Sequence, residues 1–321
     1  MTKQELCGSN VLVTSISHKV PMLKAVRRAM TDHQSGMLLY GGDSNSASPG
    51  RYFVDRYWKM PQLDDSKFGV VLDYCRRQKI GRVIPSRDGE LAFWARHSKV
   101  LAQDGVQVMI APPRAVALSL DKLKFHLWAA KQGFPTIPTA EALDGWKATR
   151  LVVKERFGAG SAGIVLDCSR QTAERAAAGF HQPVFQPYIK GRELSVDVYV
   201  DRSGKGKAAI VRVRNLVVGG ESFITSVVRE PKLEKLCQRM AEQLGLRGHA
   251  IFQVVRDRQN DFHVIECNAR FGGASVASLA AGLDSFGWFL QESAGHRILA
   301  PFVRKAQTLT MVRYKADLFL P

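Results

Sequence analysis

The chain has 321 residues, 45% hydrophobic and 23% charged, an ordinary globular composition with room for two or three domains and a substantial core. Its formal charge is +17, but the basic residues are spread along the chain, and no zinc-finger or aromatic RNA-binding pattern accompanies them, which speaks against a nucleic-acid-binding protein. No apolar run approaches a membrane span, the N-terminal MTKQELCGSN lacks a signal-peptide apolar region, and the five cysteines show no CxxC spacing, so a cytoplasmic protein without a zinc cluster or disulfide framework is expected.

Residues 1–112 alternate short apolar runs with amphipathic segments. Val11, Leu12 and Val13 read as a buried strand, and Pro21 opens a helix with Met22, Val26 and Met30 on one face. Residues 37–40 form the next expected strand, followed by the turn-rich GGDSNSASPG. Behind the capping cluster Asp64, Asp65 and Ser66, the residues Phe68, Val71, Leu72 and Cys75 keep helical spacing up to Gly81. Strands at 82–84 and 106–110 flank a helix carrying Leu91, Trp94 and Ala95. This alternation predicts a doubly wound parallel sheet, whose ligands bind at the carboxyl ends of strands. Ser15, Asp43, Arg87 and Asp88 fall at such ends, although polar loop residues there are more often simply solvated.

Pro112 and Pro113 mark a boundary, after which Asp121 is placed to cap a helix running to Gln132 and Gly133. Strands are then expected at 151–154, 163–167, 184–186, 194–200, 208–213, 250–255 and 262–266, interrupted only by helices near 172–180 and 232–246. The second helix carries Leu233, Leu236, Met240 and Leu244 on a core stripe. The expected fold class is therefore α/β followed by α+β, divided at 1–112, 113–185 and 186–321.

Three segments carry chemistry. In HVIECNARFGGAS (263–275), strand alternation puts Glu266, Asn268 and Arg270 on one face, ahead of a Gly272-Gly273 turn. Carboxylate and amide oxygens suit Mg²⁺, and a guanidinium suits phosphate or carboxylate. A solvated polar face is the plain alternative. LVVKERFGAGSAGIVLD contains a GxGxxG, but a strand follows it, so a glycine hairpin over phosphates is favoured over a dinucleotide fingerprint. Lys154 sits four residues before it. In VFQPYIKGRELSVDVYVD, Pro187 frees backbone groups of Gln186, Tyr188 and Ile189, and Glu193 is placed to accept from hydroxyls. If the turn near Gln259 and Asn260 holds two residues, Gln253 stands opposite Glu266 and completes an all-oxygen site with Asn268. Cys267 points to the core, and His263 shares the face of Ile265, away from Glu266.

In this order the motifs resemble the ATP-grasp superfamily, and within it the carbamoyl-phosphate-synthase-like carboxylate–amine ligases. The resemblance covers nearly the whole chain: DKLKF, KERFGAGSAGI, QPYIKGRE, VRVRNLVVGGES, FQVV and IECNARFGG follow a Rossmann-like first domain, and a two-lobed ATP-grasp fold is implied. It implies that Lys122 and Lys154 hold ATP phosphates, that Gly158, Gly160, Ser161 and Gly163 belong to a mobile loop over them, that Gln186, Pro187, Tyr188 and Ile189 meet adenine, and that Glu193 meets ribose. It further implies that Gln253, Glu266 and Asn268 hold magnesium, with manganese as an alternative ion, and that Arg212, Arg214 and Arg270 act on the acyl phosphate or substrate. Gln253 stands where many relatives carry a carboxylate, Glu155 and Ala269 where proline is frequent.

The implied reaction converts a small-molecule carboxylate to an acyl phosphate, which an amine then attacks. An acyl kinase, a silent nucleotide-binding module and, last, a basic nucleic-acid-binding protein are the alternatives. The substrates and oligomeric state, a homodimer included, stay open.

Overall fold

The structure is a computed structural model and describes residues 8–33, 36–158 and 163–320. Its N-terminal part comprises β1 (Asn10–Thr14), α1 (Val20–His33), β2 (Leu39–Asp43), β3 (Arg56–Lys59), α2 (Phe68–Arg77), β4 (Ile80–Ile84), α3 (Asp88–Gln103) and β5 (Gln107–Val108). The five strands form one parallel sheet in the order β3-β2-β1-β4-β5. Continuous apolar runs suit β1 and β4 because helices cover both faces of such a sheet. Two expected boundaries shift. β2 runs on to Asp43 through Gly41 and Gly42, which were read as turn, and α2 ends at Arg77, with Lys79 at φ 51° making the reversal before Gly81 enters β4.

The connection onward is helical. Pro113 opens α4 (Pro113–Leu120), which the sequence reading did not include, and α5 (Lys122–Lys131) follows. Asp121 caps α5 as expected, accepting the backbone N–H of Leu123 at 3.1 Å and of Lys124 at 3.0 Å. Next come β6 (Leu151–Glu155), β7 (Ile164–Cys168), α6 (Arg170–Ala177) and β8 (Pro183–Pro187), whose strands make a small antiparallel sheet in the order β7-β6-β8. That sheet and α6 enclose a satellite core of Leu143, Leu151, Val153, Cys168, Ala173 and Phe185.

The remainder holds β9 (Gly191–Val200), β10 (Gly206–Val218), β11 (Glu221–Val228), α7 (Pro231–Leu244), β12 (Gly248–Asp257), β13 (Phe262–Asn268), α8 (Val276–Ala280), α9 (Ser285–Ser293) and β14 (Leu309–Val312). Its strands form a six-stranded antiparallel sheet, β13-β12-β9-β10-β11-β14. The stripe of α7 packs on this sheet, and Gly245 ends the helix at φ 78°. Beyond the last expected strand come α8 and α9, which the sequence reading did not include, short segments whose stability comes from tertiary packing.

One large core runs from Leu12 and Trp94 through Phe125 to Val196 and Phe252. A second joins Val11, Met22 and Leu23 to Phe271, Phe286 and Leu290. The first sheet is thus fastened to the large one by apolar packing, and Phe271 carries the end of β13 onto it. Among the described residues no helix is long and apolar enough to cross a membrane.

Candidate active site

The β12–β13 hairpin sets the geometry. Asp257 N–H donates to the Asp261 carbonyl at 3.0 Å around residues 258–260, with Asn260 left-handed at φ 67°. The expected two-residue turn is therefore a three-residue turn, the form in which asparagine readily takes the left-handed position. Alone, this would move Gln253 off Glu266. A bulge at Ile265 restores the offset: Val254 pairs with Val264, and Gln253 then pairs with Glu266. The bulge also breaks the simple alternation, so Ile265 and Glu266 both line the same cleft. His263 bonds Asp257 at 2.7 Å, at the hairpin end, and Cys267 is buried, its thiol pushed up to about 12 by burial.

Glu266 is the centre of charge. Its Oε2 lies 3.9 Å from Lys122 Nζ and 3.9 Å from Lys154 Nζ, while Asn268 Nδ2 approaches Oε1 at 3.4 Å. Lys122 starts α5 and also donates to the Gly158 carbonyl at 2.9 Å. Arg156 holds the start of that helix with a two-point grip on Asp121, Nε to Oδ1 at 2.8 Å and Nη2 to Oδ2 at 2.7 Å. Lys154, on β6, is buried, and burial brings its ammonium down to about 8; Glu266 opposes that shift and Lys122 adds to it. Gly158 and Gly163 take φ 125° and 65°, whereas Gly160 and Ser161 of the same loop lie outside the described residues.

Gln186 is buried at the end of β8 and donates to Thr139 Oγ1 at 2.8 Å. Of the backbone groups expected to be free after Pro187, Tyr188 N–H is already spent on the Arg150 carbonyl at 2.9 Å. That leaves Ile189 as the better candidate for an incoming acceptor. Glu193 is paired with Arg214, which also donates to Ser222 Oγ at 2.9 Å and the Gly220 carbonyl at 2.8 Å.

Arg212 is buried in a closed polar cluster. It pairs with Asp197, which also accepts from Ser275 and Ser278 and meets His249 Nε2 at 3.1 Å. Burial would raise the Asp197 carboxyl, but the Arg212 guanidinium and His249 outweigh it and hold the group well below the usual range. Asp197 thus holds Arg212 by Nε and Nη2 where the arginine lines the cleft.

Arg270 reaches across to the first sheet and pairs with Asp88 at the start of α3. Ser15, Asp43, Arg87 and Asp88, discounted as ordinary loop groups, all line the cleft, because the carboxyl edge of the parallel sheet forms one of its walls. Lys19 and Arg313 line it too, and the sequence reading missed both. Arg313 Nη2 donates to the Gly273 carbonyl at 3.0 Å, fixing the glycine turn from 40 residues away, so local spacing carries no sign of it.

These residues surround a cleft of about 1440 Å³. Val152 and Ile164 face it from the small sheet and Ile251 and Ile265 from the large one, an apolar slot beside the lysines. Among the described residues no group of three or more acidic, histidine or cysteine side chains converges to hold a metal. The donor set is instead one carboxylate with two amide side chains, which fits a hard ion whose other ligands are phosphate oxygens and water.

Comparison with known proteins agrees with this architecture. Residues 179–316 match the family described as ATP-grasp in the biosynthetic pathway with Ter operon, and residues 11–109 match the PylC-like N-terminal domain. The chain is 25% identical over 210 residues to the carbamoyl phosphate synthase large chain of Pyrococcus furiosus, a match covering 57% of this chain and 20% of that one. Among solved structures, N5-carboxyaminoimidazole synthetase from Staphylococcus aureus complexed with ADP superposes with TM-score 0.73 at 18% identity, over 98% of this chain and 84% of that one. The biotin carboxylase domain of 2-oxoglutarate carboxylase from Hydrogenobacter thermophilus gives TM-score 0.74 at 16% identity, over 95% and 74%. Residues 179–316 thus carry the ATP-grasp match. Ahead of that region, residues 11–109 carry the PylC-like N-terminal match, and the solved structures share the fold across nearly the whole chain.

Proposed function

We propose that this chain is an ATP-dependent ligase that activates a small-molecule carboxylate as an acyl phosphate and joins it to an amine. The observation that carries this reading is the convergence of Lys122 and Lys154 on Glu266, in a cleft that also holds Gln253, Asn268 and Arg270. Phosphoryl transfer needs positioning and charge neutralisation more than a side-chain nucleophile, and this cleft supplies cations and hard oxygen donors.

On this reading adenine enters the slot between Val152 and Ile265, with Ile189 backbone at its edge and Glu193 toward ribose. Lys122 and Lys154 take the phosphates. Gln253, Glu266 and Asn268 would hold Mg²⁺, which when bound supplies charge neutralisation at the transferred phosphoryl group. The substrate carboxylate oxygen forms a bond to the γ-phosphorus as the β–γ bridge breaks and ADP leaves. The amine nitrogen then attacks the acyl carbon, the carbon–oxygen bond to phosphate breaks, and the nitrogen sheds its proton. Arg214 and Arg270 are placed to steady anionic oxygen during both steps, while Arg212, already neutralised by Asp197, keeps the strand beneath them in place. The enzyme would act in the cytoplasm on small molecules. Self-association stays open; the Hydrogenobacter domain was solved as a dimer.

A panel of amino acids and small carboxylates, scored for ADP release with hydroxylamine present, tests the reading. Carboxylate-dependent ADP with a matching hydroxamate is expected. Nucleotide bound at the first sheet, away from Lys122 and Lys154, would sink it.

A further inference from the structure

The strand order β3-β2-β1-β4-β5 reverses direction between β1 and β4, and open parallel sheets hold ligands in the crevice at such a point. Here that crevice is a wall of the cleft, formed by the loops ending in Lys19 and Arg87. Lys19 is half-buried. Its Nζ donates to the carbonyl and, at 2.7 Å, to the hydroxyl of Ser86, and it makes no ion pair among the described residues.

The acids nearby are committed elsewhere. Glu90 closes the start of α3, accepting Ser86 N–H at 2.8 Å and Arg87 N–H at 3.0 Å, and takes Trp94 Nε1 at 3.3 Å. Asp88 is taken by Arg270. Arg270 arrives from the other side of the crevice with its Nε buried and without a partner. The first turn of α1, immediately after Lys19, contains no acidic residue to offset its positive end. Desolvation and the Arg270 charge both weigh against the Lys19 ammonium, which is held down to about 8 despite Glu90 and Asp88. A partly desolvated cation, facing a second cation and bonded only to neutral oxygens, is under-compensated.

We propose that Lys19 and Arg270 form an anion subsite that receives a carboxylate or phosphate group of the substrate, making the N-terminal sheet a recognition surface. This rests on the cleft being the active site. It deepens that reading by requiring a substrate with an anionic group reaching the first sheet.

The test uses the full chain without nucleotide. Lysine acetylation by an N-hydroxysuccinimide ester is followed residue by residue by peptide mass spectrometry, in sodium chloride, acetate or phosphate at matched ionic strength. Acetate or phosphate should slow modification of Lys19 severalfold, leaving the exposed Lys235 unchanged. Protection by acetate assigns a carboxylate, and protection by phosphate alone a phosphoryl group. Equal modification of Lys19 in all three salts overturns the subsite. With a carboxylate that supports ADP release, Lys19→Met should raise its KM about tenfold or more, the size of one charged hydrogen bond, with KM for ATP little changed. Lys19→Arg should recover part of the loss. An unchanged carboxylate KM would refute the subsite and leave the ligase reading standing, whereas protection of Lys19 without any carboxylate-dependent ADP release would do the reverse.

Discussion

Lys154 Nζ lies 3.9 Å from Glu266 Oε2, across the gap between the small sheet and the large one. Lys154 stands on β6 of the small sheet and Glu266 on β13 of the large one. Closing that gap with correct charge is therefore the condition for assembling the site, and each lobe can be tested from its own side.

Replacing the carboxylate removes the hub. Glu266→Gln should lower ADP release by about 10²–10³, the usual loss when one electrostatic group is removed from such a centre. The fold should survive, because a buried lysine can shed its proton when its counter-ion goes. Steady-state rates with far-ultraviolet circular dichroism check both halves, and a variant keeping half the wild-type rate would refute the role of Glu266.

The Lys154 ammonium ties nucleotide affinity to pH. Its folded value of about 8 lies below the ordinary 10.5, so between those values the unfolded chain holds a proton that the folded one lacks. Stability should accordingly gain with rising pH across that window from this group, and from Lys19 in the same direction. Phosphate binding should move the other way, weakening above pH 8 by at most about tenfold per unit as the amine loses its charge. Glu266, Lys122 and Glu193 set the local field. Calorimetric titration of MgATP from pH 7 to 9 would read the slope, and Lys154→Met should flatten it.

Asp197 is a structural prediction. Asp197→Ala leaves Arg212 and His249 facing each other in a buried cluster, and breaking a buried pair from one side costs about 3–5 kcal/mol. Urea denaturation should show the loss. A change below about 1 kcal/mol would mean that water or another anion replaces the carboxylate.

Gly158 offers a contrast, since nothing stands within 4 Å of an added Cβ there and the backbone at φ 125° carries the whole penalty. Gly158→Ala should lower turnover far more than melting temperature, because its carbonyl also receives the Lys122 ammonium. Hydrogen exchange of 157–163 with and without MgATP adds the ligand response, and equal protection in both states would count against closure over phosphate.

The parallel character of the first sheet, the cap at Asp121 and the facing of Gln253 and Glu266 were legible because each depends on residues close in sequence or on one hairpin. Even there the pairing came from two compensating misreadings, the turn length and the unseen bulge at Ile265. Local spacing does not encode Asp88 meeting Arg270 across 182 positions, nor Arg212 pairing with Asp197 on the neighbouring strand. β3, β11 and β14 were missed because edge and ribbon strands carry mixed polar sequence. Ser15, Asp43, Arg87 and Asp88 were read as ordinary loop groups, and the packing of the large sheet against the first is what brings them to the cleft wall.

Two ammonium groups and one carboxylate leave the Lys122, Lys154 and Glu266 centre with one net positive charge while both lysines are protonated. Such a centre repels a bare dication and attracts a polyanion. It would therefore favour ordered addition, with metal entering as the companion of the triphosphate. The same imbalance favours departure after transfer, because a diphosphate offers less charge to the lysines than the triphosphate that came in.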